Sequence, residues 1–189
     1  MSDTKFDICS RALALIGVPA IASFSDGTTE STVAGQFYEA TVRVLFSRRR
    51  WRFASTQAEL SREAGVPEAK WSAIYPLPTG LLILHGLTLN DNQFEYDRYG
   101  NSIFCDLGAD DRPVADYTYR ADELVWPAFF VEAVVYDLAA KFAAAITRSA
   151  DMAKLKAEEA LMKLAEAKVL DAQQQPPRKL PTSRFISNR

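Results

Sequence analysis

Apolar positions recur every three or four residues at both ends of this chain, and in alternation or short runs through its middle. At the start, Phe6, Cys9, Leu13 and Ile16 share one helical face, which predicts a helix over 4–16. Asp3 or Thr4 is placed to cap it, and Gly17 with Pro19 to end it. A loop built on Asp26-Gly27 follows. Val33, Phe37, Ala40, Val44 and Leu45 predict a second helix over 29–49, with Glu30 suited to its N-terminal dipole. Trp51 and Phe53 then alternate with polar residues. Ala73 to Leu77 and Leu81 to Leu89 are short apolar runs punctuated by Pro76, Pro78 and Gly80. Phe94 to Asp97, a Tyr99-Gly100-Asn101 turn and Ser102 to Cys105 predict a β-hairpin, and Val114 to Tyr119 a further strand.

Helical spacing returns at Trp126, with Pro127 at the first helical position, where its missing N–H costs nothing. Val131, Val134, Val135, Leu138, Phe142 and Ala145 give this helix a broad apolar face, so it is expected at the centre of the core. Ser149 is placed to cap a last helix over 150–172. There Leu155, Met162 and Val169 recur every seven residues, with Ala165 between them, and Lys154, Lys156, Glu158, Glu159, Lys163 and Glu166 supply a solvated surface. The order is helix, helix, β region, helix, helix, arm. The predicted fold class is α+β: a mainly helical four-helix bundle with a small antiparallel β region inserted at about 51–120 and an extended C-terminal arm. The helical body is read as 1–175 and the arm as 176–189.

The arm changes the charge picture. It carries Arg178, Lys179, Arg184 and Arg189 with no acid, and Pro176, Pro177 and Pro181 keep it from being helical. Of 22 Lys and Arg residues, four lie in the arm, which leaves 18 against 24 Asp and Glu in the body. The arm also holds Leu180, Phe185 and Ile186, which a pure solubility tail does not need. It reads equally as a strap that lies on another protein or as a disordered terminus.

Signals for chemistry are sparse. His85, the single histidine, lies inside an apolar strand run and reads as a half-buried strand residue. Cys9 and Cys105 fit no metal or redox spacing and read as buried free thiols of a protein made in a reducing cytoplasm. Asp106, Asp110 and Asp111 lack the oxygen-ligand spacing of a calcium loop and read as a solvated turn. The eight glycines are scattered singly, so no phosphate-cradling loop is expected. No secretory signal is read at the start, and no stretch approaches the ~20 apolar residues of a membrane helix. The expectation is a protein that is not an enzyme, with no cofactor, no metal and no membrane.

Arg48, Arg49, Arg50 and Arg52, interleaved with Trp51 and Phe53, are the other conspicuous feature. They suit a grip on phosphates and bases, the cationic end of a helix followed by a buried strand, or an interface between subunits. The acidic body ranks the last two above nucleic acid.

Several segments together resemble phage head-to-tail adaptor proteins, called tail tubular protein A in short-tailed phages. They are Ile8 to Gly17 with Ile21 and Ser23-Phe24; Arg50-Trp51-Arg52-Phe53-Ala54; Tyr75-Pro76-Leu77-Pro78; Tyr117 to Arg120 leading to Trp126-Pro127-Ala128-Phe129-Phe130-Val131-Glu132-Ala133; and Thr182 to Arg189. The resemblance spans nearly the whole chain and lies in order and spacing more than in any one motif. It implies a structural protein that forms a ring of about twelve copies under the portal. Such a ring extends the DNA channel, passes DNA without sequence-specific binding and docks a tail, nozzle or stopper protein. By that resemblance the portal contact is the arm, through Arg178, Lys179, Leu180, Arg184, Phe185, Ile186 and Arg189. Arg48, Arg49, Arg50 and Arg52 become candidates for the interface between copies. The implied location is the head-tail interface of a virion, after assembly in the host cytoplasm. The alternative is a nucleic-acid-binding protein that uses Arg48 to Arg52 and the arm.

Overall fold

Thr4 sets the first helix. Its hydroxyl accepts the Asp7 N–H at 3.2 Å, while the Asp7 carboxylate accepts the Thr4 N–H at 2.9 Å, a reciprocal capping box. The helix, α1 (Lys5–Ala14), stops where Gly17 adopts φ +73°. The computed structural model describes residues 4–65, 67 and 70–174. The arm lies outside them. Asp26 organises the next loop by accepting N–H groups from Ala22 and Thr28, and Thr28 caps α2 (Thr29–Ser47).

Pro127 occupies the N-cap of α3 (Ala128–Phe142), one residue before its predicted place. A π-helical turn (Ala143–Thr147) and Arg148, at φ +53°, lead to Ser149, whose hydroxyl accepts the Met152 N–H and opens α4 (Ala150–Gln173). α3 is the hub: α1, α2 and α4 all pack on it. Its Phe130, Val134, Leu138, Ala139 and Phe142 are fully buried.

Seven strands lie between α2 and α3 among the described residues: β1 (Ser55–Glu59), β2 (Ala73–Pro76), β3 (Leu81–Leu89), β4 (Asn92–Gln93), β5 (Tyr96–Tyr99), β6 (Ser102–Cys105) and β7 (Val114–Tyr119). They form two antiparallel sheets, ordered β1-β7-β3-β4 and β2-β6-β5. Asn90 and Asp91 both take positive φ in the two-residue β3–β4 turn, as a primed hairpin turn requires. Tyr75, Ile103 and Cys105 of one sheet and Leu87, Ala115 and Tyr117 of the other build a shared β core. A separate helical core surrounds α3, and Tyr119 touches both.

This architecture corrects two expectations. The molecule is not a mainly helical four-helix bundle with a small β appendage; it is α+β, with two complete sheets and their own apolar core. The reason is that the runs at 73–77, 81–89 and 114–119 supply enough inward side chains to bury each other. α4 packs on α3 and the π-helical turn, burying Ala160, Leu164 and Ala167. Second, Trp51 and Phe53 are not in a strand. Trp51 caps a 3₁₀ turn (Arg52–Ala54), Phe53 lies within it, and the first strand begins at Ser55.

Candidate interaction site

The arginine segment is a sharp corner between the helical layer and the sheets. α2 ends at Ser47, and the Arg48 N–H donates back to the Leu45 carbonyl at 3.3 Å. Trp51 then turns inward, fully buried, and its indole N–H donates to the same carbonyl at 2.8 Å. Phe130 meets the rings of Phe46, Trp51, Phe53 and Trp126 at centroid distances of 4.9–5.0 Å. With these aromatic residues anchored, the intervening arginines are held in place around them.

Three of the four arginines have partners inside the chain. Arg49 Nε donates to the carboxylate of Asp171 at 3.2 Å. The Arg52 N–H donates to the other oxygen of that carboxylate at 3.1 Å, and Arg52 Nε to the Asp171 backbone carbonyl at 2.9 Å. Asp171 is fully buried in the last turn of α4. A buried carboxylate is expensive unless paired and hydrogen-bonded, and these donors fasten the end of α4 to the corner after α2. Arg50 pairs with Asp116 on β7 at 2.5 Å. Arg48 is solvent-exposed at the rim of an open groove that also involves Arg43, Val44, Ser47 and Leu82.

Beside Arg50, the strand β3 bulges twice against β7, leaving Leu82 and His85 as the extra residues. The second bulge carries the His85 imidazole to Thr118 Oγ1 at 2.7 Å. Burial, and then the Arg50 guanidinium, pull its pKa below the ordinary histidine value. His85 is therefore a strand histidine bonded to a threonine, as its apolar run predicts.

A second junction lies against the same aromatic cluster, beside Phe46 and Trp126. Arg120, just after β7, reaches Glu123 Oε1 at 2.7 Å and Glu39 Oε2 at 3.1 Å. Tyr38 donates to the same Glu123 oxygen at 2.8 Å, and the guanidinium lies 5.2 Å from the Trp126 ring centroid. Burial works to lower the Arg120 pKa, but the hydrogen bonds to Glu123 and Glu39 outweigh it and raise it.

Cys9 and Cys105 are buried free thiols, and burial raises their pKa values to about 12 and about 11. Asp106 accepts the Ser72 N–H and Asp111 accepts the Gly108 N–H, so both act as loop-fixing acceptors. Among the described residues no group of three His, Cys, Asp or Glu is arranged to hold a metal, and no helix is long and apolar enough to cross a membrane.

Of the sequence-predicted site residues, the structure brings Arg49 and Arg52 together at Asp171 and sends Arg50 to the sheet. Arg178, Lys179, Leu180, Arg184, Phe185, Ile186 and Arg189 lie outside the described residues. Sequence reasoning missed Asp171, Asp116 and the Arg120 cluster. Asp171 left a signal: it falls on the helical face of Ala160, Leu164 and Ala167, where an unpaired acid would not be tolerated. Compared with known proteins, the chain matches no family model and no curated protein.

Proposed function

We propose that this protein is a structural head-to-tail adaptor of a phage particle. It forms a ring under the portal, extends the DNA channel and docks the tail. The arm grips the portal through Arg178, Lys179, Leu180, Arg184, Phe185, Ile186 and Arg189. The observation that carries the reading is the ordered set of adaptor-like segments along the chain, ending in a cationic, apolar-studded arm.

Two features of the structure support it. The helical layer and the β layer each have a core of their own, so one molecule offers two differently built layers to different neighbours. In addition, the Asp171 clamp fixes the root of the arm, because α4 ends two residues later. An arm leaving a fixed root loses less freedom on binding than one leaving a frayed helix. A ring engaging a ring then multiplies a weak contact by valency.

Truncation after Gln175 tests this reading. The shortened chain is expected to keep its melting temperature, because the arm follows the last residue of α4 and its cap. It is also expected to lose binding to rings of the portal protein encoded with it, measured by co-sedimentation. Unchanged binding by the truncated chain would contradict the strap. For the arginine corner the account expects no DNA retention in a low-salt gel shift, since Arg49, Arg50 and Arg52 are already engaged within the chain.

A further inference from the structure

An open groove of about 250 Å³ runs between α3 and α4, close to where α4 ends. Ala128 and Phe129 of α3 and Leu170 of α4 are among its apolar side chains, and Ala128 and Leu170 are exposed there. Glu132, Lys163 and Glu166 line the same groove. Lys163 Nζ lies 3.2 Å from Glu132 Oε2 and 3.2 Å from Glu166 Oε2. One lysine thus serves two half-exposed carboxylates, and these three groups keep a net negative charge. The next pair along α4, Lys156 with Glu159, is balanced. The groove therefore suits a segment that brings an aliphatic side chain together with cations.

The arm is such a segment, and it begins beside the groove. It lies outside the described residues, but its root does not: α4 runs to Gln173, and Pro176 and Pro177 prevent the helix from continuing. Leu170 is only about 4.5 Å along the helix axis from Gln173, and Glu166 about 10 Å. The six residues from Gln174 to Leu180 span up to about 20 Å. Leu180, the first apolar residue after the two prolines, therefore reaches the groove with slack, and Arg178 and Lys179 come within reach of its glutamates. Charge also sets the direction of return. Asp171, about 100° round the helix from Leu170, faces the arginine corner. That side repels a cationic chain, whereas Glu132 and Glu166 attract it.

We propose that the arm of the free chain folds back onto its own α3–α4 groove, with Leu180 against Phe129 and Leu170 and with Arg178 and Lys179 beside Glu132 and Glu166. The tether favours the chain's own arm over any other occupant, because a short linker presents it at an effective concentration on the order of millimolar. The contact is a latch, not a part of the core. One covered leucine and exposed ion pairs are offset by the ordering of the segment that carries them, so removing the arm leaves the melting temperature unchanged. The latch covers Leu180 until a stronger partner competes for it. The inference rests on the portal reading above only for what displaces the arm.

Disulfide trapping in the full-length chain tests it. One double variant pairs Leu180→Cys with Ala128→Cys in the groove. A second pairs Leu180→Cys with Ala165→Cys, an exposed position of α4 that lies about 160° round the helix from Lys163 and so faces away from the groove. Cys9 and Cys105 are buried, and unmodified protein provides the background. In dilute protein the internal disulfide to position 128 is expected to form roughly tenfold faster than that to position 165, since both targets share one tether. Adding Arg178→Glu and Lys179→Glu is expected to shrink that preference severalfold. Equal rates at the two positions overturn the latch, and a preference untouched by charge reversal overturns the role of the glutamates. Single variants Leu180→Cys and Ala128→Cys, mixed, are expected to give little dimer; a dimer formed as fast as the internal bond would assign the groove to a neighbour's arm and overturn the fold-back. The experiment contains no portal protein, so its failure leaves the portal-binding reading to the truncation test.

Discussion

Replacing Phe130 with Ala will cost the helical layer about 4 kcal/mol, the middle of the range for emptying a buried aromatic site. The side chain is fully buried, and its ring is the shared member of an aromatic cluster. Phe46 and Phe53 lie at 4.9 Å, and Trp51 and Trp126 at 5.0 Å. The loss combines transferred apolar area, an unfilled cavity and three edge-on ring contacts, to Trp51, Phe53 and Trp126, worth about 0.5–1.5 kcal/mol each. The cavity cannot collapse easily, because Trp51 and Trp126 are pinned by indole hydrogen bonds to Leu45 and Ala121. For a chain of this size the melting temperature should fall by about 10–15 °C. Urea unfolding followed by tryptophan fluorescence measures it. Phe130→Leu should lose less, and Val44→Ala, at an exposed position of α2, close to nothing. A loss below about 1.5 kcal/mol for Phe130→Ala would show that the cluster is not the core's keystone.

Arg120→Met will destabilise by about 3 kcal/mol, the lower end of the range for breaking a buried ion pair. Glu123 is 11% exposed at its side chain, against 47% for Glu39, so the penalty falls on Glu123. Tyr38 still donates to it, which keeps the cost at the low end. The double variant Arg120→Met with Glu123→Gln should recover much of the loss, because no buried charge is then left unpaired. The pH dependence follows from the carboxyl. Burial alone would raise the Glu123 pKa, but the hydrogen bonds from Arg120 and Tyr38 outweigh it and hold it below the ordinary 4.5. The folded state therefore binds fewer protons than the unfolded chain in the acid range. Its stabilisation is complete above about pH 4.5 and is lost as pH falls through the folded value. The gap between wild type and Arg120→Met should thus narrow from pH 7 to pH 4. A gap that widens on acidification would contradict this assignment.

Much of the fold is legible in the chain because its signals are local. Thr4, Gly17, Pro127 and Ser149 place four helix boundaries to within a residue or two. Val114 to Tyr119 reads as a strand and is one. Period misleads at Trp51 and Phe53, because a two-residue spacing of aromatics also suits a 3₁₀ corner whose rings turn back to the helices. The bundle is misread for a similar reason. Leu155, Met162 and Val169 look like the seam of α4, but the helix lays its alanines on α3, where small side chains let the backbones approach. Nothing local distinguishes an apolar row that packs on the same chain from one left exposed. The site shows the same limit. Asp171 and Arg49 are 122 residues apart in sequence, and no short-range pattern announces their pairing. Only the oddity of an acid on an apolar face hints at it.

Electron microscopy of assembled particles, with this protein labelled, places the adaptor reading at risk in one step. The account predicts label at a single vertex, between head and tail, on a ring of copies. Label spread over the capsid, confined to the distal tail, or absent from complete particles would contradict it.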